Sequence, residues 1–123
     1  MARVGVEGSE VVVRLGLGEM PAARRRTVRF AVSALREVGV ETSWWRVLRG
    51  EAGRGRWLPG RCVGLRHGPD GTDFVALSAD GPVLWMGLDL AAPFSRVAVS
   101  VPDPRATERA LRALMPAKPP PEP

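Results

Sequence analysis

The run WWRVLRGEAGRGRW, residues 44–57, holds the side chains with the clearest potential to bind a partner. It carries three of the four tryptophans in the chain together with four arginines. Tryptophan and arginine are enriched in protein interfaces, and aromatic rings interleaved with basic groups also bind single-stranded nucleic acid or membrane surfaces. The pattern predicts a partner-binding segment, here called the Trp–Arg segment, which presents Trp44, Trp45, Arg46, Arg49, Arg54, Arg56 and Trp57.

The same segment can also be read as an irregular connection in which tryptophans close the core and arginine stems lie across their rings. Neighbouring side chains of an extended chain point to opposite faces, so only one of Trp44 and Trp45 can enter the core from a regular strand. Burying one tryptophan ring removes roughly 200 Å² from water, worth several kcal/mol at about 25 cal/mol per Å². We therefore expect the other ring to meet another protein or a second copy of the chain, with nucleic acid or anionic lipid as alternatives.

A second basic cluster, Arg24, Arg25 and Arg26, precedes a predicted strand. Three adjacent arginines are typical of a solvated strand edge, where charge prevents pairing with another sheet. The alternative is an anion patch that binds phosphate. The net charge of +5, carried by seventeen arginines and one lysine, adds attraction for polyanions at low salt.

Few residues in the sequence could support catalysis or bind a metal ion. His67 and Cys62 are the single histidine and the single cysteine of the chain, so they predict neither a zinc site nor an internal disulfide. Cys62 is typical of a small buried hydrophobe, and Asp70 and Asp80 lie in turn sequences where the side chain caps the backbone. We predict no catalytic residue, metal or cofactor; the alternative is a small accessory or biosynthetic enzyme with a pocket inside a barrel.

The size and composition predict one domain. A chain of 123 residues that is 45% hydrophobic can build one core, which we place in residues 1–116. Residues 117–123, KPPPEP with its preceding alanine, predict a flexible proline-rich tail of polyproline II type. The sequence has no apolar run of about eighteen residues, and its first ten residues lack the apolar stretch of a signal peptide. We expect a cytoplasmic protein.

Short strands are predicted through the first half of the chain. Val11, Val13, Leu15 and Leu17 alternate with other residues in the way a half-buried strand requires, and ARVGV before them can pair through the Glu7-Gly8-Ser9 link. A third strand is predicted at Thr27–Phe30 and a fourth at Arg36–Thr42. Between them we expect a helical turn capped by Ser33; the alternative is one amphipathic helix from Ala31 to Val38.

The second half predicts an antiparallel meander and then a helix. RCVGLRH, DFVALS and PVLWMGLDL are joined by the turn sequences GPDG and ADG, and PFSRVAVSV adds a last strand. In PDPRATERALRALMP, Asp103 is a natural N-cap, Pro104 fits the first turn and Pro116 ends the helix. Its stripe of Thr107, Ala110, Leu111 and Leu114 must dock on the sheet, with Arg105, Arg109 and Arg112 pointing away.

This half of the chain resembles a group of small bacterial, actinobacterial-type proteins with a pleckstrin-homology-like (PH-like) domain. The resemblance covers about half of the chain, the run from Val63 to Leu114. It implies a mainly β fold, a PH-like antiparallel barrel or sandwich of about seven strands capped by a C-terminal amphipathic helix. The residues that carry it are Gly64, Leu65, Arg66, Phe74, Ala76, Leu88, Pro93, Phe94, Arg96, Val99, Ser100, Val101, Asp103 and Pro104.

The resemblance also bears on the ligand. PH domains that bind phosphoinositides place lysine and arginine at the first hairpin loop, but here that loop carries Glu7 and Glu10. Two carboxylates would oppose a phosphate, so lipid binding of that type is not expected. Bacterial PH-like domains share no common ligand and some self-associate, which implies a noncatalytic interaction module that contacts another protein or forms a homo-oligomer.

Overall fold

Nine β-strands and a C-terminal helix make up the described part of this computed structural model, which comprises residues 1–16, 21 and 25–115. The mainly β prediction with a closing helix is confirmed. Short 3₁₀ turns lie at Val32–Ala34 and Trp44–Val47. The elements are β1 Arg3–Glu7, β2 Glu10–Arg14, β3 Thr27–Ala31, β4 Leu35–Glu41, β5 Glu51–Leu58, β6 Arg61–Gly68, β7 Gly71–Ser78, β8 Val83–Leu88, β9 Arg96–Val99 and α1 Pro104–Leu114.

The strands form two sheets. A small antiparallel sheet has the order β1-β2-β3, and a six-stranded sheet has the order β4-β8-β9-β7-β6-β5. The predicted hairpin at Glu7-Gly8-Ser9 is confirmed, since Glu7 lies opposite Glu10 in the register of β1 and β2. The described strands do not close into a barrel, so the barrel part of the prediction is wrong, and nine strands replace the expected seven.

The predicted meander holds only for β6 and β7, which pair antiparallel around the GPDG turn. β8 does not return beside β7; it pairs with β4 and β9, and β9 lies parallel to β7 with Asp73 opposite Arg96. The antiparallel meander is therefore wrong beyond β7. The slot beside β7 suits β9 because its residues after Arg96 are apolar and buried on both faces, as a strand between two others requires.

The inner face of the large sheet meets the small sheet. Alternate residues of β6, β7, β8 and β9 point to this side, as the period of two predicts. Phe74 contacts Phe94 there, with 5.7 Å between ring centroids. The buried members of this inner core are Val11, Val13, Leu15, Val28, Phe30, Leu35, Val38, Val63, Phe74, Ala76, Leu84, Met86, Phe94, Val97, Val99, Val101 and Leu111, together with Ala2. These side chains fill the space between the sheets.

The outer face of the same sheet is also covered. The 3₁₀ turn at Trp44–Val47 and the residues after it lie over this face and bury a second apolar group. Its buried members are Val47, Cys62, Val75, Leu77, Val83 and Ala98, with Trp44, Leu48, Trp57 and Trp85 partly buried against them. Burial on both faces explains why Phe74–Leu77 of β7 and Val97–Val99 of β9 are apolar on both sides.

Helix α1 docks on β4 and β8, as predicted. Asp103 caps it, since its Oδ1 accepts the backbone N–H of Ala106 at 3.1 Å. Leu111 enters the core at 2% exposure, but Leu114 is 46% exposed, so the predicted stripe is narrower than expected. Arg112, expected to point away, instead donates to the backbone oxygen of Val38 at 2.9 Å and ties the helix to β4.

Three local predictions in the first half need correction. The helix proposed over Ala31–Val38 is wrong, because β3 and β4 flank a single 3₁₀ turn there. Ser33 lies inside that turn rather than capping it; the N-cap is Ala31, and its side chain makes no capping bond. Leu90, the last residue of the predicted strand PVLWMGLDL, lies beyond the end of β8 and is 98% exposed. Leu17 and the tail 117–123 lie outside the described residues.

Removing the side chain of Leu111 should separate the docked face of α1 from its exposed face. We expect Leu111→Ala to lower the free energy of unfolding by about 2–4 kcal/mol, because it leaves a cavity in the core. Leu114→Ala is the matched control and should cost less than about 1 kcal/mol. Urea denaturation of both variants measures this, and equal midpoints would contradict the docking of α1 through Leu111.

Candidate interaction surface on the outer sheet face

The strand register arranges the outer face in three rows that run across the large sheet. The first row is polar, the second contains small residues around one aromatic ring, and the third is apolar and ends at Trp57. The polar row is Glu37, Gly87, Arg96, Asp73, Arg66 and Ala52. The second row is Gly39, Trp85, Ala98, Val75, Gly64 and Gly55. Chemistry on this face is therefore confined to the polar row and its neighbours.

The two adjacent tryptophans have different environments. Trp44 is partly buried against the outer apolar group, whereas the Trp45 ring is 55% exposed. Both lie in a 3₁₀ turn, so the alternation expected of a regular strand does not apply to them. The Arg46 guanidinium lies over the Trp45 ring at 5.2 Å from its centroid. One of its terminal nitrogens lies 3.9 Å from a carboxylate oxygen of Glu41.

Trp57 is part of the cover and not of the exposed surface. Its Nε1 donates to the backbone oxygen of Gly53 at 3.0 Å, and the Arg66 guanidinium lies 5.1 Å from its ring centroid. Arg66 also donates to the backbone oxygens of Arg49 and Gly50, at 3.2 and 2.7 Å. The arginine thereby fixes the Trp–Arg segment onto β6, in agreement with the structural alternative for this ring.

Arg49 has a structural partner that the sequence did not reveal. Its Nε and terminal nitrogen donate to the two carboxylate oxygens of Asp73, at 2.5 and 3.0 Å. Asp73 is buried in β7, so this bidentate pair satisfies a carboxylate that would otherwise be costly to bury. The bonds to Asp73 raise the pKa of Arg49. The pair anchors the segment that covers the outer face.

Arg54 and Arg56 do not join the tryptophans. They lie in β5, where a loop was expected, and both are exposed. Arg56 is opposite Val63, an inner-core residue, whereas Trp57 is opposite Cys62 of the outer group. Alternation along the strand therefore directs Arg56 to the other side of the sheet from Trp57. The structure separates the predicted set into two faces.

The second basic cluster is only partly described. Arg24 lies outside the described residues, and Arg25 and Arg26 are exposed. The Arg25 guanidinium lies over two rings of the inner core, 5.6 Å from the Phe74 centroid and 5.2 Å from that of Phe94. Arg25 thus has a contact role at the edge of the core.

The most unusual outer-face contact joins Trp85 and Arg96, which sequence reasoning did not select as site residues. The Arg96 guanidinium lies 4.6 Å from the Trp85 ring centroid. Gly39 makes room for the ring, because a Cβ at this position would lie 2.6 Å from Trp85 Cζ2. Trp85 alternates with Leu84 and Met86 in β8, which places it on the face opposite to theirs. Its partners could not be predicted in this way, because they come from β4 and β9.

Neither candidate catalytic residue has a catalytic setting. His67 Nδ1 is 3.2 Å from Thr72 Oγ1 across the β6–β7 hairpin, on an exposed surface. Cys62 is buried, as predicted, and burial raises the pKa of its thiol. Among the described residues, no group of three or more His, Cys, Asp or Glu side chains could hold a metal ion. No helix in the described ranges has the length and apolar character needed to cross a membrane.

Comparisons with protein-family models, curated proteins and solved structures give no match for this chain.

The Arg49–Asp73 pair provides a direct test of how the segment is anchored. We expect Arg49→Met to lower the free energy of unfolding by about 2 kcal/mol, because it leaves the buried Asp73 carboxylate unpaired. The double variant with Asp73→Leu should recover most of this loss. Arg46→Met, which removes an exposed arginine, should change stability by less than about 0.5 kcal/mol. Chemical denaturation measures the free energy of unfolding of all three variants. A wild-type value for Arg49→Met would contradict the anchoring role.

The Cys62 thiol should be protected in the folded protein. Its raised pKa disfavours the thiolate, which is the reactive form, and burial blocks access to the sulfur. At pH 8 we expect Ellman's reagent to modify the native protein far more slowly than the urea-unfolded chain. Equal rates would show that the outer apolar group opens readily.

Proposed function

We propose that this protein is a noncatalytic interaction module of PH-like fold that binds another protein, or a second copy of itself, through the pair Trp45–Arg46. The exposed Trp45 ring carries the proposal. Trp44 and Trp57 are partly buried in the outer apolar group, whereas Trp45 remains 55% exposed. Covering the exposed part of such a ring would contribute about 2–3 kcal/mol at about 25 cal/mol per Å².

The pairing of Trp45 with Arg46 supports the same conclusion. Stacking at 5.2 Å holds the guanidinium against the ring before any partner arrives. Less conformational entropy is then lost on binding, and tryptophan and arginine are the residue types that most often dominate binding energy at protein interfaces. Among the described residues, the single ion pair of the Arg46 side chain is the 3.9 Å contact with Glu41, so its donors stay accessible to acceptors on a partner.

The edge of β5 is poorly suited to binding by strand addition. The register between β5 and β6 shifts between Ala52 and Gly55, and the backbones of Gly55 and Gly64 approach too closely for side chains. Bulges and charged residues on an edge strand oppose pairing with another sheet, and Arg54 and Arg56 supply the charge. This supports side-chain contacts at Trp45, and not backbone pairing, as the mode of binding.

The PH-like part of the proposal comes from the resemblance in the second half of the chain. The docked C-terminal helix with its Asp103 cap, and the Phe74–Phe94 contact, give structural roles to residues that carry the resemblance. The parallel pairing of β7 and β9 departs from an antiparallel PH-like meander. A cytoplasmic location belongs to the same proposal.

The alternatives have less geometric support. The enzyme alternative depended on a pocket inside a barrel, and the described strands form two sheets with packed side chains between them. A nucleic-acid track would need arginines interleaved with exposed rings, but Arg56 and Trp57 point to opposite faces of β5. The Trp45–Arg46 pair therefore remains the best-supported contact.

Trp45→Ala tests the proposed function. We expect it to weaken self-association, or binding of a purified native partner, by about tenfold or more, because the ring is the exposed anchor. Sedimentation velocity over a wide concentration range measures the first, and calorimetric titration measures the second. Leu114→Ala, an exposed apolar residue on α1, is the matched control and should behave as wild type. Unchanged assembly and unchanged partner affinity in Trp45→Ala would refute the proposal.

A further inference from the structure

A groove of about 460 Å³ lies on the outer face beside Trp85. We call it the outer groove. It follows the polar row of the large sheet and reaches the segment that carries Trp45. The residues of the outer groove that matter for recognition are Arg36, Glu37, Arg49, Asp70, Trp85 and Arg96. The six combine three cations, two carboxylates and one ring, and a third carboxylate, that of Asp89, also lines the outer groove.

Two of the three arginines already have partners. Arg36 donates to Asp89 at 2.6 Å and to the backbone oxygen of Ser33 at 2.8 Å. Arg49 donates two hydrogen bonds to the carboxylate of Asp73. Among the described residues, Arg96 makes no ion pair, so it is the cation of the outer groove that is left without a bound carboxylate.

Arg96 is also partly removed from water. Its Nε is buried and has no hydrogen-bond partner among the described residues. Burial, together with the nearby charge of Arg49, lowers the pKa of its guanidinium. A desolvated cation is costly unless an acceptor compensates it, and stacking on Trp85 at 4.6 Å supplies only part of that compensation. The stacking also fixes the plane of the guanidinium fork, which prepares it to meet an acceptor.

We infer that the outer groove receives one carboxylate from an acidic side chain of the partner protein, bound by the Arg96 guanidinium on the Trp85 ring. This inference rests on the proposed function, because it names the chemistry that the partner presents. The Nε of Arg96 is buried, so the donors left for a carboxylate are the two terminal nitrogens of the guanidinium, whose fork matches a planar carboxylate with two parallel hydrogen bonds. The loss of water around Arg96 has then already occurred before the partner binds.

The charges of the outer groove favour a single carboxylate over a phosphate group. Glu37 and Asp70 make no ion pair among the described residues, and both line the outer groove. Their negative charge repels a dianion about twice as strongly as a monoanion. A glutamate or aspartate side chain, which carries one negative charge, is therefore repelled less than a phosphate dianion when it approaches the Arg96 guanidinium.

Two connections along the chain link the outer groove to the proposed interface. Arg49 borders the outer groove and follows the 3₁₀ turn that carries Trp45. Glu41, which pairs with Arg46, belongs to β4, the strand that also supplies Glu37 to the outer groove. A partner surface that covers Trp45 can therefore place an acidic side chain over Arg96.

The test uses the whole protein and a small probe, N-acetylglutamate N-methylamide, with the glutamine derivative as its neutral isostere. Nuclear magnetic resonance follows the Arg96 Nε–H and Trp85 indole N–H signals at constant ionic strength. We expect the glutamate probe to shift both signals and to saturate with a dissociation constant on the order of millimolar, as suits a single contact. The glutamine isostere should leave them in place. This comparison needs no variant.

Variants then assign the effect. Arg96→Gln should weaken the glutamate probe by about tenfold or more, and Arg61→Gln, which removes an exposed arginine of β6, should bind as wild type. Trp45→Ala should also bind the probe normally, which separates failure of this inference from failure of the proposed function. The inference is overturned by equal shifts with both isosteres, by wild-type affinity in Arg96→Gln, or by tighter binding of inorganic phosphate at the same signals.

Discussion

The large sheet has to be covered on both faces, and this constraint shapes the rest of the molecule. Its central strands carry Phe74 and Val97 on one side and Val75 and Ala98 on the other, all of them buried. The small sheet and α1 cover the inner side, but the outer side has no sheet or helix of comparable size to cover it among the described elements. Tryptophan rings supply that cover because each can bury a large apolar area from a short segment of chain.

Covering a sheet with rings explains both the buried and the exposed tryptophans. A 3₁₀ turn changes direction too tightly for two adjacent rings to lie on one surface, so the turn that lowers Trp44 onto the sheet presents Trp45 to solvent. Arg49 then holds the segment to Asp73, a residue of the covered sheet. The exposed surface and the structural cover are consequently parts of one segment.

The sequence was informative wherever the signal was local. The β6–β7 hairpin followed from its turn residues, and α1 followed from Asp103 and Pro104, because these features act within a few residues. β5 was missed because two glycines and two arginines in the run Gly53–Arg56 interrupt the alternation that marks a strand. The pairing of β8 was missed since the ADG turn indicates a change of direction but does not determine which strand lies alongside.

The contacts within the outer groove could not be predicted from the sequence, for a related reason. Arg96 and Trp85 meet through the pairing of β8 with β9, and Arg49 meets Asp73 across 24 positions of sequence. Alternation along each strand indicates that Arg96 lies on the face opposite Val97, and that Trp85 lies on the face opposite Leu84 and Met86. It could not show that neighbouring strands would place one directly over the other.

The insertion of β9 between β7 and β8 imposes an order on assembly. Until the chain up to Val99 has been synthesised, β7 and β8 cannot be joined, and each presents an open apolar edge. Parallel pairing of β7 with β9 also requires the chain to close a loop around β8, which is slower than forming a hairpin. Nascent chains that stop before β9 would therefore expose two unpaired apolar strand edges, which favour aggregation.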